Sequence, residues 1–83
     1  MSEVQREISI IAYVKWNKGI TLKYSELRKE LISRGLKPSA NNRGLGRQIK
    51  TAYDCAIQED NQGIADCIAN CFTDEDGKHI WKR

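Results

Sequence analysis

At 83 residues the chain has room for one domain with one small core, and 40 % apolar with 30 % charged residues excludes a disordered chain. No run of about 18 apolar residues occurs, so no membrane span is implied. Net charge is only +3, but residues 1–50 hold 11 Lys/Arg against 4 Asp/Glu while residues 51–83 hold 3 against 7, an asymmetry compatible with an anionic partner on one side.

The first predicted element is a helix over about Glu3 to Lys18. Ser2 and Gln5 form a capping-box pattern at its start. Val4, Ile8, Ile11, Ala12 and Trp16 recur at helical spacing and are expected to form one buried stripe. Gly19 suits the position just past the helix end. The opening "MSEVQREISI" carries acidic residues before its apolar part, unlike a secretory signal, so the expected compartment is the cytoplasm. The odd number of cysteines, three, agrees with reduced thiols there. Ile20, Thr21 and Leu22 fit a very short strand. A second helix then begins near Lys23 or Tyr24, with Tyr24, Leu27 and Leu31 on one face, Ile32 beside them, and Gly35 at the end.

A third helix starts between Ser39 and Asn42 and runs to about Asp60. Leu45, Ile49, Ala52 and Ala56 line one face, with Tyr53 at its edge. At about 100° per residue, Arg47 and Lys50 fall within about 40° of Arg43, opposite that apolar face. The plain alternative to a binding surface is a solvated helix face, with Lys50 paired to Asp54 at i+4. Gly44 and Gly46 cost roughly 1 kcal/mol each inside a helix, so close packing or close approach of a phosphate is expected to offset them.

A short fourth helix is expected from about Ile64 to Asn70. "CFTDEDGKHIWKR" then reads as a hairpin: Phe72 and Thr73 enter, "DEDG" turns, and His79, Ile80 and Trp81 return, with Ile80 or Trp81 folding back on the core. Cys67 and Cys71 with Cys55 or His79 offer a zinc reading, but small buried thiols fit the spacing better, and no cofactor is expected. His79 has no partner in a recognisable nucleophile motif, and no carboxylates pair at catalytic-looking positions; the chain reads as non-enzymatic.

The expected class is therefore α+β, mostly α. The order of elements resembles a winged helix-turn-helix domain spanning residues 1–83. "KYSELRKEL" and "RGLGRQIK" also resemble the DNA-binding domain of the alkyltransferases that repair O6-alkylguanine: Tyr24-Ser25-Glu26-Leu27 matches a Tyr-x-x-Leu helix, and Arg43-Gly44-Leu45-Gly46 an Arg-small-x-Gly helix start. The reactive Pro-Cys-His-Arg motif of those enzymes is missing. The resemblance implies a non-catalytic DNA-binding protein, a transcriptional regulator in type. It places Arg43, Arg47, Lys50 and Asn42 on the helix facing DNA, Tyr24 at a phosphate, and Lys78 and Lys82 on the wing. Asp74, Glu75 and Asp76 at the hairpin tip count against that arrangement, since they repel phosphates. They leave open a protein partner at the tip, and with it a protein-interaction module or a small subunit of a complex as the rival function. A homodimer also stays open; Tyr13 or Trp16 outside the core would mark an interface.

Overall fold

The computed structural model describes residues 2–80. The elements are α1 (Glu3–Asn17), β1 (Leu22–Lys23), α2 (Tyr24–Ser33), α3 (Asn42–Gln58), α4 (Gln62–Cys71) and β2 (Phe72–Thr73). The protein is thus mostly helical, with a sheet of two very short strands. The expected position of Lys82, and of Trp81 and Arg83 beside it, lies outside the described residues.

Local signals set the helix ends. Ser2 Oγ accepts from the Gln5 N–H, and Gln5 Oε1 accepts from the Ser2 N–H, which completes the capping box of α1. Asn41 Oδ1 accepts from the Gly44 N–H at 2.7 Å and starts α3. Asn61 caps α4 in the same way, through the Ile64 N–H at 3.2 Å. The fourth helix is longer than the periodicity implied by two residues at its start and one at its end, because Asn61 caps it at that point.

One core runs through every element. Ile8, Ile11 and Ala12 of α1 meet Leu45, Ile49, Ala52 and Ala56 of α3 and Ala65, Cys67, Ile68 and Cys71 of α4, with Leu22 of β1, Leu27 and Leu31 of α2 and Phe72 of β2 completing the cluster. Ile80 packs against it from the C-terminal side. One expectation is corrected. Trp16 is exposed, because the last turn of α1 lies at the margin of this core. Ile32 is 58 % exposed, because Leu27 and Leu31 already fill the buried stripe of α2. Arg34 ties α2 to α1 instead, through Glu7 at 3.1 Å.

The first strand occupies Leu22–Lys23 rather than 20–22, because that is where its partner lies: Leu22 pairs with Phe72 and Lys23 with Thr73, in parallel. Parallel pairing needs a long crossover, and α2, α3 and α4 supply it. Thr73 is buried and its Oγ1 donates to the Leu22 carbonyl at 3.4 Å. An antiparallel bridge joins Thr73 to His79, so the chain does double back after the acidic turn. Beneath this sheet the Cys71 Sγ–H donates to the Ile20 carbonyl at 3.6 Å. Burial, reinforced by Cys67, pushes the Cys71 thiol up to about 11, which keeps it protonated and inert near neutrality.

Ile49 sits at 0 % exposure in the middle of α3. Ile49→Ala is expected to cost about 2–5 kcal/mol of stability, measured as a lowered urea midpoint with an unchanged slope.

Candidate nucleic-acid interface

The start of α3 is fixed by a set of contacts from the preceding loop and from α2. Arg28 of α2 donates through Nε to the Ser39 carbonyl at 3.1 Å and through Nη2 to Asn42 Oδ1 at 2.8 Å. The Ser39 N–H donates to Gln48 Oε1 at 3.1 Å. Asn42 therefore spends its side-chain oxygen on Arg28 and acts here as a positioning residue.

Both glycines of "RGLGR" have neighbours. A Cβ on Gly44 would run into the Ser39 side chain and lie 3.2 Å from Asn41 Oδ1. A Cβ on Gly46 would lie 3.3 Å from the Tyr24 hydroxyl oxygen. Close packing against the capping loop and against the first residue of α2 therefore accounts for both, without a phosphate. Tyr24 is half-buried at this contact. Burial pushes its phenol up, and the Asp74 carboxylate adds to the shift.

Between these two flanks lies the outer face of α3. Arg43, Arg47 and Lys50 are exposed, as the helical angles imply. Lys50 is engaged: its Nζ lies 3.0 Å from Asp54 and 5.5 Å from the centroid of the Tyr53 ring. Among the described residues neither Arg43 nor Arg47 has a side-chain hydrogen bond or an ion pair. Lys78 is exposed on the far side of the acidic turn.

The acidic turn is placed in a way the sequence did not reveal. Glu75 reaches the start of α2: Oε1 accepts from the Ser25 N–H at 2.9 Å and Oε2 from the Ser25 hydroxyl at 3.1 Å. The N-cap residue of α2 is Lys23, whose side chain has no acceptor. Lys23 does give its own N–H to Glu26 Oε1 at 2.9 Å, but a first-turn donor is left over. Glu75 satisfies it from 50 residues away. The one local signal for this was a helix start lacking a usable cap.

Among the described residues no group of three or more His, Cys, Asp or Glu could hold a metal ion. Cys55, Cys67 and Cys71 are free thiols. No described helix is long and apolar enough to cross a membrane. Comparison with family models, with curated proteins and with solved structures returns no significant match.

The glycine contacts yield a paired test. Gly44→Ala is expected to destabilise by about 1–3 kcal/mol despite the better helix former, because Ser39 is held by both Arg28 and Gln48. Gly46→Ala in a Tyr24→Phe background is expected to stabilise by up to about 1 kcal/mol, since the hydroxyl it would meet is gone. Thermal or urea unfolding of the two variants and their parents, wild type and Tyr24→Phe, reads both signs.

Proposed function

We propose that the protein is a small, non-catalytic DNA-binding domain of the winged helix-turn-helix type, a regulator, which meets DNA with the outer face of α3. The observation that carries this reading is the exposure of Arg43 and Arg47, without side-chain partners among the described residues, at the start of a helix whose orientation is fixed by Arg28, Ser39 and Gln48. A guanidinium left free at the surface offers a two-pronged donor to a phosphate or to the edge of a guanine. A rigid helix start makes that offer directional. Lys50 adds charge at the next turn, although Asp54 offsets it, and Lys78 adds charge from the hairpin. The three free thiols suit a reducing compartment such as the cytoplasm.

The acidic hairpin weakens as a rival protein-binding tip, since Glu75 is used within the fold. A different surface supports the protein-interaction reading: Ile10, Tyr13 and Val14 stand 42–53 % exposed at i, i+3 and i+4 on α1, and Ile10 and Tyr13 line a shallow hollow with Ala56 of α3 and Ile64 of α4. If a second copy covers this face, Ile10→Glu turns a dimer into a monomer in sedimentation; a wild-type protein that stays monomeric at all concentrations removes the homodimer.

The DNA reading is tested by fluorescence anisotropy with mixed-sequence duplex DNA across a salt series. If Arg43, Arg47 and Lys50 each neutralise one phosphate, affinity falls roughly 40-fold between about 50 and 200 mM salt. Arg47→Glu is expected to abolish binding with an unchanged circular dichroism spectrum. Absence of binding by the wild type at about 50 mM salt would sink the proposal.

A further inference from the structure

The turn that follows β2 is a compact acidic unit. Asp74 Oδ1 accepts from the N–H groups of Asp76 at 2.9 Å and Lys78 at 3.0 Å. The Asp74 N–H donates to the Lys78 carbonyl at 2.8 Å, and the Gly77 N–H to the Asp74 carbonyl at 3.0 Å. Gly77 closes the turn at φ 85°, a conformation that favours glycine. A turn with this many internal bonds keeps its shape when it moves.

Its position is set by α2. Ser25 receives Glu75, and the adjacent Tyr24 packs on Gly46 of α3. On the helical wheel Gly46 lies about 40° from Lys50 and about 60° from Arg43. The acidic turn therefore borders the basic face on its Gly46 flank. Asp74 lies near enough to Tyr24 for its charge to raise the phenol there, and Glu75 and Asp76 follow it in the same turn. A bound phosphodiester backbone would bring more negative charge to the same edge. Like charges within about one Debye length, roughly 10 Å at 0.1 M salt, repel appreciably.

We propose that the Glu75–Ser25 contact is an autoinhibitory latch: it holds the acidic turn beside the basic face of α3 and is released when a nucleic-acid backbone occupies that face. The inference rests on the DNA-binding reading above. The contact suits a reversible latch. Glu75 is exposed and Ser25 half-exposed, so water replaces their hydrogen bonds at low cost when they part. The start of α2 also draws an anion for general reasons, the helix dipole and its unpaired N–H groups. A backbone phosphate passing the start of α2 competes with the Glu75 carboxylate for those same donors.

The test compares four variants with wild type for binding to the same duplex DNA at low salt. Glu75→Ala opens the latch and removes one charge, and is expected to tighten binding by about three- to ten-fold. Asp76→Ala removes one charge from the same turn but leaves the Glu75–Ser25 bonds in place, and is expected to give less than half of that gain in fold terms. Ser25→Ala weakens the latch with no change in charge, and is expected to tighten binding in the direction of Glu75→Ala. Arg47→Glu serves as the control on the DNA reading itself. If Glu75→Ala gains no more than Asp76→Ala and Ser25→Ala changes nothing, the latch is overturned while the loss of binding in Arg47→Glu preserves the DNA reading. If neither wild type nor Glu75→Ala binds, both proposals fall. Circular dichroism of each variant confirms that binding is read on folded protein.

Discussion

The pairing of Leu22 with Phe72 is the constraint on which the candidate interface depends. It is the point where the chain, after α2, α3 and α4, returns to the start of α2. Only two residues on each side take part, so the backbone bonds alone are a weak clasp. The strands hold because they are built into the core: Leu22, Phe72 and Thr73 are all buried, and Cys71 and Thr73 each donate a hydrogen bond across the junction. Everything downstream follows from this register. The residues after Thr73 emerge at the N-terminus of α2, where Glu75 finds Ser25. A pairing slipped by one residue would turn Phe72 out of the core and lose that contact.

From the same junction the geometry of α3 is set. Tyr24, the first residue of α2, presses on Gly46, and Arg28 one turn later holds Ser39 and Asn42. The two glycines thus mark two flanks of one helix, one facing the capping loop and the other facing α2. The arginines stand between those flanks. The backbone approaches closely on both sides and leaves the outer face clear, which is why a helix rich in glycine at its start is nonetheless rigidly seated. The cost of glycine in a helix, roughly 1 kcal/mol each, is offset by packing that a methyl group would obstruct.

What could be read from the sequence was what one helical period encodes. Leu45, Ile49, Ala52 and Ala56 are buried and Arg43, Arg47 and Lys50 exposed, as spacing alone implies, because both faces of α3 are written in a single continuous element. The starts of α1 and α3 were legible from their caps. Trp16 was misplaced because periodicity gives the direction of a side chain but not how far the neighbouring layer extends. The parallel register and the docking of Glu75 were not legible at all: both join residues 50 apart, and nothing local to "DEDG" names its partner. The same limit applies to Asn42, whose partner Arg28 belongs to the previous helix.

The acidic turn looked at first like an argument against an anionic partner. Its docking changes the weight of that argument rather than its sign. Glu75 is balanced by the donors of Ser25, and Asp74 directs an oxygen to two N–H groups of its own turn, so part of the negative charge is spent inside the fold. Asp76 alone of the three has no described side-chain partner. What remains at the edge of α3 is a movable charge rather than a fixed one. A fixed acidic edge lowers affinity for every polyanion equally. A hinged one lowers it only until the donors of α2 find a better-placed anion, and so the same residues that oppose weak, transient contacts impose less penalty on a backbone that spans both α3 and the start of α2. The turn then separates partial from full engagement, which is a role that only the parallel junction at Leu22 and Phe72, by fixing where the turn emerges, makes available.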